Sequence, residues 1–314
     1  MALTVVGSIA FDAVKTPFGE RERMLGGAAT HFSLAAGFFT EVRPVGPVGD
    51  DFGTEHFELL EARGIKTDDI ERVAGGQSFF WRGHYDYDLN VAHTDDTQLG
   101  VFGEFEPKLS EAARCADTLF LANIQPDLQR QVRSQCAAGF SGLDSMNLWI
   151  DIARDSLLAA VAEVDCVVLN DAEIRMLTGE SNLARAARTV MAMGPRAVVA
   201  KQGEYGAALF TVDPDTEEGN FFALPGFPLE DVRDPTGAGD SFAGGFFGYL
   251  DGVDGDLDET NLRRAMGYGT VLASFNVEEF GTERVARLER DEIDERFEAL
   301  RRMTQFEGLP APRD

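Results

Sequence analysis

Short apolar runs alternate with helix-length amphipathic stretches along most of the chain. The runs Leu3–Ile9, Val42–Val48, Thr118–Ala122, Asn147–Ile150, Cys166–Asn170 and Ala197–Lys201 have the length of strands. Between them, Ala28–Phe39, Gly53–Glu61, Asp127–Ala137 and Leu183–Met193 carry a helical pattern. Alternation of this kind predicts an α/β fold, with a mostly parallel central sheet and helices on both of its faces. After Val232 the pattern becomes mainly helical, over Asp240–Leu250, Glu259–Asn276 and Asp291–Met303. Gly308–Asp314 holds two prolines and reads as a trailing tail.

Two segments break the rhythm. Asp12–Arg23 is short and polar, with turn signals at Pro17 and Gly19. Val73–Phe105 is rich in aromatics and alternates in places, as in Ser78-Phe79-Phe80-Trp81-Arg82-Gly83-His84-Tyr85. Long structureless loops are uncommon in compact domains, so these segments are expected to form a small β-strand lid on a single domain spanning residues 1–314. No repeat of solenoid period and no apolar run of about 18 residues is present, and the N-terminus reads as a buried strand. These features predict a cytoplasmic protein.

Charge narrows the partners. Asp and Glu total 54 against 28 Lys and Arg, a net charge of −26, and the lysines are Lys15, Lys66, Lys108 and Lys201. Such a chain repels nucleic acid and anionic membranes, and its composition suits a salty, halophilic cytosol that screens self-repulsion. Cys115, Cys136 and Cys166 show no CxxC spacing, and His31, His56, His84 and His93 lack metal-ligand spacing. An acidic protein that binds an anion needs a local positive field, from helix N-termini, a metal or a few placed cations.

The segment Asp234-Pro235-Thr236-Gly237-Ala238-Gly239-Asp240-Ser241-Phe242-Ala243-Gly244-Gly245-Phe246 meets that need. Pro235 and the glycines argue against a helix through residues 234–239, and small or aromatic residues predict a buried helix from Asp240. A Gly-rich turn opening a helix presents unpaired N–H groups to an anion. Asp240, at the junction, is placed either to cap the helix or to take a proton from a hydroxyl attacking phosphorus.

This segment resembles the C-terminal signature of the PfkB (ribokinase-like) carbohydrate kinase family. The resemblance implies a ribokinase-like sandwich with a β lid. It also implies transfer of the γ-phosphoryl group of ATP to a hydroxyl of a sugar or sugar-like substrate. Gly237, Ala238 and Gly239 would form the anion hole and Asp240 would be the base. Other segments are similar to family motifs in order along the chain. In Gly7-Ser8-Ile9-Ala10-Phe11-Asp12, Asp12 stands where the family holds substrate hydroxyls. Gly26 and Gly27 let the sugar approach backbone, and His31 replaces the family's usual substrate-binding Asn. Asn170 and Glu173 match the NxxE motif that organises Mg2+ through water. Lys201, Gly203 and Gly206 match the strand and turn that approach the nucleotide, with Lys201 where a small hydroxyl residue is usual. Asp234 and Thr236 stand near the family's K+ site, and Val271, Asn276 and Gly281 fall in its adenine region.

Arg82 is the one cation in the lid segment expected to reach substrate, with Trp81 and Tyr85 covering it. The alternative acceptors are a nucleoside, an inositol or a sugar phosphate such as ribose 1-phosphate. A homodimer joined through the lids fits the resemblance. A non-catalytic nucleotide- or sugar-binding protein is opposed by the intact Asp240 and NxxE motifs. A Rossmann oxidoreductase is opposed by the absence of GxGxxG after the first strand.

Overall fold

The computed structural model describes residues 2–212, 219–253 and 258–305; the expected tail Gly308–Asp314 lies outside them. Thirteen strands are described: β1 (Ala2–Val6), β2 (Ala10–Thr16), β3 (Gly19–Gly26), β4 (Glu41–Val48), β5 (Ile70–Arg72), β6 (Phe79–Tyr85) and β7 (Ala92–Gln98), then β8 (Thr118–Leu121), β9 (Phe140–Leu143), β10 (Cys166–Asn170), β11 (Ala197–Lys201), β12 (Ala207–Val212) and β13 (Gly219–Leu224). Nine form one sheet in the order β13-β12-β11-β10-β9-β8-β1-β4-β5. The run from β5 to β11 is parallel, and β12 and β13 close it antiparallel.

Burial on both faces explains the sequence of the central strands. Val167, Val168 and Leu169 of β10, like Val198, Val199 and Ala200 of β11, are fully buried, so they read as continuous apolar runs. One face packs against the helices Ala28–Ala36 and Ala238–Gly252, through Phe32, Phe120, Phe246 and Phe247. The other face carries Ile150, Leu157, Ile174 and Val190. Among the described residues no helix is long and apolar enough to cross a membrane.

One expected strand is overturned. Asn147–Ile150 belongs to a helix, Asn147–Ile152, and the strand at this place in the sheet is β9. Only Ile150 of that helix is buried, while Leu148 and Ile152 are exposed, which is one-sided helical burial. A short apolar run does not separate the two by periodicity. The helix at the Gly-rich turn also starts earlier than expected, at Ala238, so only Gly237 of the three turn residues lies outside it. Strands β12 and β13 were not foreseen.

A second sheet, ordered β3-β2-β6-β7, stands apart from the first. Strands β2 and β6 run parallel with Asp12 opposite Trp81, Ala13 opposite Arg82 and Val14 opposite Gly83. Side chains alternate between faces along a strand. Asp12, Trp81, Gly83 and Tyr85 therefore share one face, and Phe80 and Arg82 share the other.

Candidate active site

Strand β2 brings Asp12 to the Gly26-Gly27 turn, where the backbone leaves no room for side chains. A Cβ at Gly26 would lie 1.9 Å from Asp12 Oδ2. Gly27 has φ 94°, and its Cβ would lie 2.5 Å from the Ser8 carbonyl oxygen. The Ser8 hydroxyl accepts from the Ala28 amide at 3.0 Å and starts the helix. Asp12 is 5% exposed. Burial pushes its carboxyl up to about 7, against a bond from the Gly27 amide and with repulsion from Asp234 and Asp240. Repulsion of this kind places the three carboxylates around one space.

The turn before the Ala238–Gly252 helix is pinned from below. Asp234 is fully buried; its Oδ1 accepts from the Thr236 amide and its Oδ2 from the Gly281 amide, both at 2.9 Å. Asn276 Nδ2 donates to the Thr236 carbonyl at 2.7 Å, and its Oδ1 accepts from the Ser241 hydroxyl at 3.0 Å. With that amide orientation, His31 Nδ1, 3.0 Å from the same Oδ1, carries its ring proton. Gly237 sits against the His31 ring with φ 75°. The amides of Gly239 and Asp240 fall in the first helical turn, where N–H groups have no helical carbonyl to meet and the dipole is equivalent to roughly half a positive charge.

Two expected roles change here. His31 was expected on substrate hydroxyls, but it is 2% exposed and packs beneath the turn. Burial drives its imidazole down to about 4, against the Asn276 bond, so it is neutral. Asn276 was expected near adenine, yet it is fully buried and bound to Thr236 and Ser241. Its neighbour Val271 belongs to the apolar core beneath, and Gly281 serves Asp234. A third expectation fails on strand geometry. Arg82 projects with Phe80 into an open pocket of about 310 Å³ that Glu22, Arg23, Asp51 and Gln98 also line. That pocket is on the face of the second sheet opposite Asp12, because the pleat turns residue 82 away when it turns residues 81 and 83 inward.

The nucleotide side centres on Lys201. Its Nζ lies 2.8 Å from Asp144 Oδ2, and 3.0 Å from where a Cβ would stand on Gly239. Burial works against its charge, yet Asp144 and Glu173 hold the ammonium above its usual range. Asp240 and Glu173 are each pushed up to about 7 by burial and by Asp144, with Lys201 opposing. Asp144, just past β9, did not stand out in the sequence. Gln129 fixes it by donating to its carbonyl at 2.9 Å. The apolar run Asn147–Ile150 that follows looks like a strand in sequence but is a helix, so the end of β9 beside Asp144 carries no local signal. Gly203 and Gly206 both take positive φ in the turn after β11, and a Cβ on Gly206 would lie 2.1 Å from the Leu224 carbonyl oxygen.

Asn170 and Glu173 form a reciprocal capping box, each side chain accepting from the other's amide at 2.8 Å. The spacing thus also serves as a helix cap, and the capped Glu173 carboxylate lies within electrostatic reach of Asp144 and Lys201. Among the described residues, no three His, Cys, Asp or Glu side chains are grouped to hold a metal by themselves. Three carboxylates face one ammonium here, a surplus of negative charge that suits a divalent cation keeping several waters. The arrangement fits Mg2+ held partly by donor phosphates.

Comparison with known proteins identifies the family. The model of the pfkB family carbohydrate kinases matches residues 3–287. The cytidine kinase of Thermococcus kodakarensis is 28% identical over 262 residues, covering 80% of this chain and 89% of that protein. The nucleoside kinase of Methanothermobacter thermautotrophicus is 28% identical over 330 residues, covering 99% and 98%. An E. coli putative ribokinase II, solved with ATP and Mg2+, shares the fold at a TM-score of 0.76 and 18% identity, over 95% of this chain and 99% of that one. With a family match over nearly its whole length and a Gly-rich turn opening the helix that carries Asp240 in its first turn, the chain belongs to the pfkB carbohydrate kinases, ATP-dependent phosphotransferases acting on hydroxyl groups.

Proposed function

We propose that the chain transfers the γ-phosphoryl group of ATP to a hydroxyl of a nucleoside, with Asp240 as general base and Gly237-Ala238-Gly239 as the anion hole. The placement of Asp240 carries this reading. It stands in the first turn of a helix whose unpaired amides are available to an anion, within electrostatic reach of Asp12 and Lys201. Asp12 holds acceptor hydroxyls beside the bare backbone of Gly26 and Gly27. Asp240 takes the proton as the acceptor oxygen bonds to the γ-phosphorus and the bond to the leaving ADP oxygen breaks. Donors aimed at the developing charge contribute on the order of 10²–10³ each. Lys201 adds a compact positive charge beside Gly239. Bound magnesium spreads phosphate charge, and Asn170 and Glu173 would hold it through water. A monovalent cation such as K+ near Asp234 and Thr236 would rest largely on backbone carbonyls, since both Asp234 oxygens already accept amides.

Two observations favour an uncharged acceptor over a sugar phosphate. The charges acting on Asp12 and on the Tyr85 hydroxyl are carboxylates, and Arg82 lies on the far face. A phosphorylated acceptor meets repulsion there. Trp81 and Tyr85, on the Asp12 face, supply flat apolar area for a base, and two relatives bear nucleoside kinase names. The acidic composition fits work in a salt-rich cytoplasm. ADP release is measured with Mg2+ in KCl, and again with the K+ replaced, against nucleosides, sugars, inositols and sugar phosphates. Turnover of nucleosides without turnover of ribose 1-phosphate is expected. Turnover confined to sugar phosphates contradicts the reading.

A further inference from the structure

Among the described residues, Thr16 of the second sheet donates its hydroxyl to the Arg233 carbonyl at 2.9 Å, and at the anion turn itself the sheet contributes a pairing of side-chain hydroxyls. The Thr236 hydroxyl donates to the Tyr85 hydroxyl at 3.2 Å. A phenol has one proton to give as well as lone pairs to accept. Among the described residues, Tyr85 accepts from Thr236, and its own proton is not committed to another side chain. Burial first, and then Asp234, Asp12 and Asp240, raise the phenol well above its usual range, so the hydroxyl is neutral and within electrostatic reach of all three carboxylates. Two of those carboxylates are the ones that hold the acceptor and take its proton in the reading above.

The same sheet also reaches the nucleotide turn. Beyond Tyr85 the chain passes through Leu89, with φ 56°, the one non-glycine residue of positive φ among those described. Next to it, Asn90 Oδ1 lies 3.6 Å from where a Cβ would stand on Gly203. The β6–β7 connection therefore approaches the donor side while Trp81 and Tyr85 face the acceptor side.

We propose that Tyr85 is a positioning residue that latches the second sheet onto the anion turn through Thr236, closing it as a lid so that phosphoryl transfer goes to the acceptor and not to water. The inference rests on the kinase reading above. With the latch shut, the attacking oxygen beside Asp240 belongs to the acceptor. With it open, water takes that place, its oxygen bonds to the γ-phosphorus, and the products are ADP and inorganic phosphate. The bond is hydroxyl to hydroxyl, so removing either partner breaks the same bond and loosens the sheet where it meets the turn, while the Thr16–Arg233 bond remains.

The test is a double-mutant cycle on Tyr85→Phe and Thr236→Val, both near-isosteric, read as the ratio of acceptor-independent ATP hydrolysis to acceptor phosphorylation. Each single variant is expected to raise that ratio about fivefold or more, the scale of one hydrogen bond, while the KM for ATP stays within twofold. The double variant is expected to match the singles, because the second change removes a bond already lost. Melting temperatures within a few degrees of wild type exclude a folding defect. Unchanged ratios, or effects that multiply in the double variant, overturn the latch while leaving the kinase reading intact. A wild-type enzyme that phosphorylates no acceptor overturns both.

Discussion

Gly237→Ala separates two physical costs at the turn on which catalysis depends. Gly237 has φ 75° and ψ 0°, a conformation that costs an L-residue roughly 1–2 kcal/mol. An added Cβ would lie 2.3 Å from His31 Nδ1 and 2.4 Å from two of its ring carbons. Favourable contacts begin near ~3.5 Å, so the ring or the turn must move by about 1 Å. The ring cannot swing aside freely, being buried and bonded to Asn276. Overpacking of this kind costs about 1–3 kcal/mol. The two terms together predict a loss of roughly 2–5 kcal/mol, a fall in Tm of about 4–20 °C for a large domain. Displacing the anion turn by about 1 Å is expected to lower kcat on the order of 10²-fold. Gly64→Ala is the control: φ is 79° there, but nothing lies within 4 Å of the added Cβ. It is expected to show only the backbone cost, with kcat unchanged. Thermal melts and initial rates on both variants decide the matter. A Gly237→Ala enzyme with wild-type kcat, or the same Tm loss in both variants, refutes the argument.

Other expectations follow from the same geometry. The rate at low acceptor should rise with pH through an apparent pKa near 7, owned jointly by the coupled Asp240, Asp12 and Glu173 carboxyls. Lys201→Met should move that limb to higher pH and Asp144→Asn to lower pH, since Lys201 lowers and Asp144 raises the Asp240 value; limbs that do not separate would count against the cluster. These carboxyls titrate higher when folded, so their contribution to stability is full below the unfolded values near 4 and is lost as pH rises through about 7. The Tm of the ligand-free protein should fall between about pH 4 and 7, and Asp240→Asn should flatten that fall. Arg82→Ala should leave the KM for the acceptor within twofold, because the side chain is on the far face; a tenfold rise would place it back at the substrate.

Motifs with local causes were legible in the sequence. Gly26, Gly27 and Gly237 are glycines because the Asp12 carboxylate, the Ser8 backbone and the His31 ring respectively crowd them, and that need leaves its mark on the letters themselves. Strands β10 and β11 could be bounded because burial on both faces makes them uniformly apolar between polar ends. What depends on register or on distant packing was not legible. Arg82 and Trp81 are neighbours in sequence, and only the pairing of β6 with β2 decides which one faces Asp12. His31 matches a substrate position in order along the chain, yet its bond to Asn276, 245 residues away, puts it under the anion turn. Asp144 gains its importance from Lys201, 57 residues on, and nothing near it in the sequence announces that partner.

Replacing the base tests the central claim most directly. Asp240→Asn keeps size and hydrogen bonding but removes the group that accepts the proton. With Mg2+, ATP and a nucleoside accepted by the wild type, kcat should fall about 10²–10⁴-fold, while ATP binding, followed by calorimetry, is retained. An Asp240→Asn enzyme that keeps its rate would show that Asp240 is only an acidic residue favouring the first turn of its helix.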